Sequence, residues 1–171
     1  MEAPLIPEQD IIPGPDTTRA FRDALGRFAT GVTIVTTRGL QGPVGITANS
    51  FAALSLDPPL ILWSPAKTSR RFATFAQAQG FAVHVLAEDQ SDLCHHFARP
   101  DHDFSGLDVT TSAHGVPLIN GCLARYECEA EATHDGGDHI IIVGRVLRAT
   151  FTDAEPLIFS KGRYGRFIVA P

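Results

Sequence analysis

Two neighbouring stretches in the second half of the chain constrain the fold more than any other part. From Cys122 to Ala132 the even positions read Cys, Ala, Tyr, Cys, Ala, Ala, and the odd ones Leu123, Arg125, Glu127, Glu129 and Glu131. Side chains of a strand point alternately to its two faces, so this pattern predicts a long strand with one wet face. "HDGGD" then reads as a turn, and "HIIIVGRVLRATF" as a second long strand. "PLIFSKGRYGRFIV" adds two short strands at the end. A chain that commits this much of itself to extended structure has to build a sheet, and the rest must fit around it.

The first half supplies the fitting pieces. Ala20, Phe21, Ala24, Leu25 and Phe28 recur at helical spacing, which predicts a helix over Thr17–Ala29, capped by Asp16 or Thr17 and ended by Gly31. "VTIVTT" from Val32 to Thr37 is β-branched throughout and reads as a strand, with "PVGITANSF" as its hairpin partner beyond the turn "RGLQG". Leu60 to Trp63 is a short buried strand. Thr68 or Ser69 can cap a helix with Phe72, Phe75 and Ala76 on its inner face. "FAVHVLA" is another strand, and "DQSDLCHHFA" a short helix with Leu93 and Phe97 one turn apart. Some seven strands and three helices in this order do not alternate as βαβ units. The expectation is a mainly β protein, an antiparallel barrel with helices packed outside.

Length and charge narrow the function. One domain accounts for 171 residues, and 44% hydrophobic against 19% charged residues describes a globular chain. A net charge of −5 argues against a general nucleic-acid binder. No apolar run is long enough to span a membrane. "MEAPLIPEQDIIPGPD" is acidic and proline-rich, without the basic start and apolar stretch of a signal peptide. It predicts a flexible arm over residues 1–16 ahead of a domain over 17–171, in a cytoplasmic protein. Cys94, Cys122 and Cys128 form no CxxC pair and read as reduced thiols.

No GxGxxG follows a strand and there is neither GxxxxGK[ST] nor GxSxG, so a nucleotide, if bound, is not held in a Rossmann or P-loop manner. Other segments carry chemistry, each beside a plainer alternative. Thr47-Ala48-Asn49-Ser50 is either a polar strand end or a place where small residues let the backbone approach a planar ring, with Asn49 and Ser50 as hydrogen-bonding groups. "SPAKTSRR" is either an ordinary capped helix start or a phosphate site, with free helix amides joined by Lys67, Ser69 and Arg70. "LCHHFARPDHDF" holds Cys94, His95, His96 and His102, but adjacent histidines on a helix diverge by about 100° and the spacing matches no common zinc pattern. No metal is expected there; a helix end over a ligand, with Phe97 or Arg99 reaching in, is the alternative. Asp138 and His139 stand at the mouth of a strand, and "KGRYGRF" offers Arg163 and Tyr164 for stacking and pairing with a nucleotide.

Taken in order, "FRDALGRFATGVTIVTT", "GITANSFAALSLDPPLILWSPAKTSRRF", "FAVHVLAEDQSDLCHHFA", "GDHIIIVGRV" and "PLIFSKGRYGRF" resemble the flavin reductase-like, FMN-binding split-barrel family, over Thr17 to Val169. Most similar are the reductase components of two-component flavin-dependent monooxygenases. The resemblance implies an antiparallel split β-barrel of Greek-key type, a homodimer with flavin sites near the subunit interface, and NAD(P)H-dependent reduction of FMN or FAD. Reduced flavin would pass to a separate oxygenase. Thr47, Ala48, Asn49 and Ser50 would lie along the isoalloxazine ring. Ser64, Lys67, Thr68, Ser69 and Arg70 would hold the ribityl phosphate, with Phe97 and Arg99 near the rest of the flavin. Asp138, His139, Arg163 and Tyr164 would meet the nicotinamide nucleotide, His139 assisting the chemistry. A non-catalytic flavin-binding or flavin-sensing module and a pyridoxal-type oxidase in a related barrel are the competing readings.

Overall fold

The computed structural model describes residues 8–169. In chain order the elements are a 3-10 turn Pro15–Thr17, α1 Thr18–Leu25, β1 Thr30–Gly31, β2 Thr33–Gly39, β3 Gly42–Ala48, β4 Ala52–Leu56, β5 Pro59–Trp63, α2 Phe72–Ala76, β6 Gly80–Val85 and α3 Ser91–Ala98. There follow β7 Val109–Thr111, β8 Pro117–Ile119, β9 Ala124–Gly136, β10 His139–Phe151, β11 Leu157–Ser160 and β12 Arg163–Arg166. Seven strands form one antiparallel sheet in the order β3-β2-β6-β9-β10-β5-β4. A small sheet β1-β11-β12 and the ribbon β7-β8 complete the fold.

Covalent geometry shows why the large sheet is rolled. Its two edge strands, β3 and β4, are consecutive in sequence and joined only by Asn49, Ser50 and Phe51. Laid flat, seven strands would separate those edges by about 29 Å, whereas three linking residues reach at most about 14 Å. The sheet therefore curls until its edges meet at residues 49–51. They meet without pairing, and a side chain closes the gap: Ser50 Oγ donates to the Ser64 carbonyl (3.0 Å) and accepts the Ser64 N–H (2.9 Å).

Apolar residues fill both sides of β2. Val35 faces the inner cluster with Ile61, Trp63, Phe75, Phe81, Val83, Cys128, Ile140 and Ile142. Val32 and Ile34 face an outer cluster with Leu86, Cys94, Phe97, Ile119, Cys122 and Leu157. A strand buried on both faces loses the alternation of a half-wet one, which accounts for "VTIVTT". Its threonines satisfy their hydroxyls on backbone carbonyls: Thr33 on Ala48, Thr36 on Pro117, Thr37 on Gly80. By contrast β9 alternates as its sequence implies, with Ala124 and Cys128 buried and Glu129 and Glu131 exposed.

The first helix departs from expectation. It runs only from Thr18 to Leu25 and Gly26, not Gly31, takes the C-cap. Residues 30–31 are drawn instead into a strand that pairs with Ile158 and Phe159. Neither Asp16 nor Thr17 caps the helix through its side chain; the Thr17 hydroxyl accepts the Gly14 N–H and donates to Ile12. Among the described residues its apolar side chains stay largely uncovered: Leu25 is 59% exposed, and Phe28, just past the helix end, 78%. Likewise α2 is one short turn with Arg71 at its N-cap, and neither Thr68 nor Ser69 caps it; Ser69 Oγ accepts the Arg71 N–H just ahead of it. The arm expected over residues 1–16 lies partly outside the described residues. No helix of the described residues is long and apolar enough to cross a membrane.

Candidate functional site

Closure of the barrel brings distant segments onto one ledge. At its centre the chain passes from β3 through Thr47-Ala48-Asn49-Ser50, and the Ser50–Ser64 bonds attach the start of the "SPAKTSRR" loop beside it. That loop is then zipped to the β9–β10 turn: the Ile140 N–H donates to the Pro65 carbonyl (3.2 Å) and the Lys67 N–H to the Asp138 carbonyl (2.8 Å). His139 pairs with Ala66 across this seam. On the other side of β3, the Thr47 hydroxyl donates to the Cys94 carbonyl of α3 (2.7 Å), and the Cys94 thiol donates to the Tyr164 hydroxyl on β12 (3.2 Å). Hydrogen bonds and the short backbone stretches between them thus connect Tyr164 at one end, through Thr47, Ser50 and Ser64, to Asp138 and His139 at the other.

Which polar groups remain for a ligand differs from the sequence-based expectation. Thr47 and Ser50 use their hydroxyls to hold α3 and to close the barrel. Ser69 Oγ accepts the Arg71 N–H (3.2 Å). The Lys67 ammonium pairs with Asp135 and holds that carboxyl below its usual range. Among the described residues, the Ser64 and Thr68 hydroxyls and the exposed Arg70 guanidinium have no hydrogen-bond partner within the protein. Asn49 is exposed and, among the described residues, donates only to Thr30 (3.3 Å).

Phe97 requires a correction. It is 0% exposed and belongs to the outer core, where its ring packs against Phe104 and His102. It supports β3 from beneath rather than reaching over a ligand. Glycine at position 45 is what admits it, because a Cβ there would sit about 2.5 Å from the ring. Arg99 is exposed at the end of α3, and its carbonyl accepts from Arg71.

Sequence reasoning underrated Arg71 and His102. The half-buried Arg71 guanidinium binds the carbonyls of Phe97 and Arg99 and lies 2.9 Å from His102 Nδ1. His102 Nε2 accepts the Gly45 N–H (3.3 Å), and its Nδ1 lies 3.1 Å from the Arg99 carbonyl. Burial lowers the pKa of both groups. The pair clamps the cation-bearing loop to α3 and β3. The signal available was the second arginine of "SRR", which precedes an apolar helical turn.

At the opposite end His139 Nδ1 lies 2.8 Å from an Asp138 carboxylate oxygen, a contact that holds the Asp138 carboxyl below its usual range. No group of three or more metal-binding side chains occurs among the described residues. Clefts of about 410, 470 and 910 Å3 lie elsewhere, bordered by Arg125 and Arg148 or by Arg38 and Pro43, and include no ledge residue. Asn49, Lys67, Arg70, Asp138 and Tyr164 are all solvent-exposed, so the ledge lies open at the surface.

A model of the flavin reductase like domain matches residues 25–167. The chain belongs to the flavin reductase-like family. It is 52% identical over 168 residues to the FMN reductase (NADH) SmoA of Agrobacterium fabrum, covering 98% of this chain and 97% of that protein. It is 47% identical over 148 residues to HsaB, the reductase subunit of a flavin-dependent monooxygenase of Rhodococcus jostii, covering 85% and 76% of the two chains. The solved Streptomyces globisporus NADH:FAD oxidoreductase SgcE6 superposes with a TM-score of 0.86 at 37% identity, covering 95% of this chain and all of that one. These relatives bear out the expected family and barrel. The donor set suits a flavin: an unpaired guanidinium and two free hydroxyls for a phosphate, beside a small-residue strand end for a flat ring.

Proposed function

We propose that this chain is an NAD(P)H:flavin oxidoreductase that reduces FMN or FAD and delivers the reduced flavin to a separate monooxygenase. The observation that carries this reading is the continuous ledge. It joins a strand end suited to a ring, a loop with unspent phosphate donors, and two further polar ends at Asp138-His139 and Arg163-Tyr164. Naming of its relatives as NADH-dependent reductases and as monooxygenase subunits supports the same conclusion.

Bound flavin would supply the hydride-accepting ring, and the protein's task would be placement. Thr47 to Ser50 would present backbone and the Asn49 amide along the ring. Ser64, Thr68 and Arg70 would hold the phosphate, with Lys67 and Ser69 shaping their loop. His139 and Tyr164 would orient the nicotinamide from opposite ends, since a small error in hydride distance is costly. Such an open shelf suits loose binding of NADH and ready departure of both products. Its openness, and the uncovered apolar side chains of α1, are the grounds for proposing a homodimer in which a second copy walls the site. A cytoplasmic location belongs to the same proposal, because NADH and a partner oxygenase must both be at hand.

The test is direct. Purified protein mixed with NADH and either FMN or FAD should consume NADH, followed by its absorbance. Flavin binding without NADH consumption would establish the non-catalytic flavin module instead. Consumption with NADPH alone would correct the donor.

A further inference from the structure

Tyr164 lies on a weak element. β12 has four exposed residues and pairs only with β11, at the border of a three-stranded sheet. A tyrosine on such an edge would ordinarily sweep through its rotamers, yet three groups from elsewhere surround this one. The ring of His95 stands perpendicular to it at 5.1 Å, Phe159 tilts against it at 5.3 Å, and the Cys94 thiol meets its hydroxyl at 3.2 Å. Among the described residues, only the thiol constrains the hydroxyl itself.

Cys94 is itself firmly held. It is 0% exposed in the outer core, and its carbonyl receives the Thr47 hydroxyl from β3. Burial raises its pKa, so it stays a protonated thiol, and Tyr164 is pushed up to about 12 and stays a phenol. With the S–H as donor to the phenolic oxygen, the phenol O–H is free to donate to a second group, on a residue still 38% exposed.

We infer that Cys94 is a positioning residue for hydride transfer, fixing the Tyr164 hydroxyl relative to the ring-bearing strand end at Thr47 so that it donates to an acceptor on the nicotinamide, such as the carboxamide oxygen. This rests on the assignment of Tyr164 to the nicotinamide end of the ledge. It gives the buried thiol a role that the bond pattern alone supplies: a Thr47–Cys94–Tyr164 line coupling the two halves of the site.

A double-mutant cycle tests it, with flavin Kd, the NADH KM and kcat measured for Cys94→Ala, Cys94→Ser, Tyr164→Phe and the Cys94→Ala/Tyr164→Phe pair. Loss of one modest hydrogen bond should raise the NADH KM by about 3- to 10-fold in Cys94→Ala, with flavin Kd unchanged. Tyr164→Phe should match it, the double variant should be no worse than either single one, and Cys94→Ser should restore part of the loss. Amide hydrogen exchange of residues 163–166 in flavin-free protein should speed in Cys94→Ala and return toward wild type in Cys94→Ser, which keeps a readout should kinetics be masked by instability. Impaired Tyr164→Phe with wild-type Cys94→Ala kinetics, or additive effects in the pair, would overturn the positioning role and leave Tyr164 in the site. Wild-type NADH kinetics in Tyr164→Phe would remove Tyr164 from the nicotinamide end and the inference with it.

Discussion

At the scale of single residues, two side chains of the same loop separate structure from binding. Lys67 and Arg70 look equivalent in "AKTSR", but Lys67 is engaged by Asp135 while Arg70 has no partner among the described residues. Losing a charge-assisted phosphate contact costs about 1.5–3 kcal/mol, or roughly ten- to hundred-fold in Kd. Arg70→Ala should therefore weaken FMN and FAD alike by that factor, and Lys67→Ala by less, as read by flavin fluorescence quenching; equal or reversed losses would move the phosphate to Lys67. His84 makes a different prediction. It is fully buried, accepts the Ile119 N–H at Nε2 and donates from Nδ1 to the Ile34 carbonyl, so it must be neutral. Burial lowers its pKa from 6.5 to about 4. The unfolded chain gains a proton near pH 6.5 and the folded one only near 4, so this contribution is whole above 6.5 and is lost as pH falls through that window. Its size is on the order of 3 kcal/mol. Denaturant midpoints should decline from pH 6.5 to 4 while the His84 imidazole stays neutral by NMR at pH 5. An imidazole titrating near 6.5 would contradict this.

At the scale of elements, the contact between β3 and α3 sets the floor of the site. Gly45 permits the close approach, since an added Cβ would fall about 2.5 Å from Phe97 Cε1 and 3.3 Å from Phe104 Cζ. Phe97 is wholly buried and cannot swing away. Overpacking of this kind typically costs about 1–3 kcal/mol, which in a chain of this size lowers Tm by about 2–12 °C. Gly45→Ala should show that loss in a thermal melt and should also weaken flavin binding, because α3 can yield only by pulling on the Thr47–Cys94 bond. A variant with the wild-type melt would mean the helix is not packed as tightly as the geometry shows.

At the scale of the whole molecule, the open shelf and the uncovered α1 point the same way. Phe21, Leu25 and Phe28 are exposed, as are Phe167, Ile168 and Val169 after β12, and the Lys161 N–H bond to the Gly26 carbonyl ties the two regions together. A single chain gains nothing from keeping so many large apolar side chains in water. Light scattering at micromolar concentration should report two chains per particle. A fully active monomer would show instead that one ledge suffices and that this apolar surface serves another partner.

The local patterns were legible because they depend on neighbours in sequence. Alternation in β9, the β-branched run of β2, the Gly-Gly turn before His139 and the ordered family motifs all predicted what the fold contains. The segments that the ledge joins also mark themselves in the sequence, by small residues, cations and strand-mouth turns. What the sequence could not decide was how each hydroxyl, ring and cation would be spent. Thr47 and Ser50 hold α3 and the barrel seam, Arg71 clamps a helix end, and Phe97 turns inward, because partners 14 to 47 residues away stand beside them only once the sheet has rolled. The apolar residues Phe21, Leu25 and Phe28 teach the same lesson in reverse: periodicity showed which face is apolar, and only the tertiary structure could show that the described residues leave it exposed.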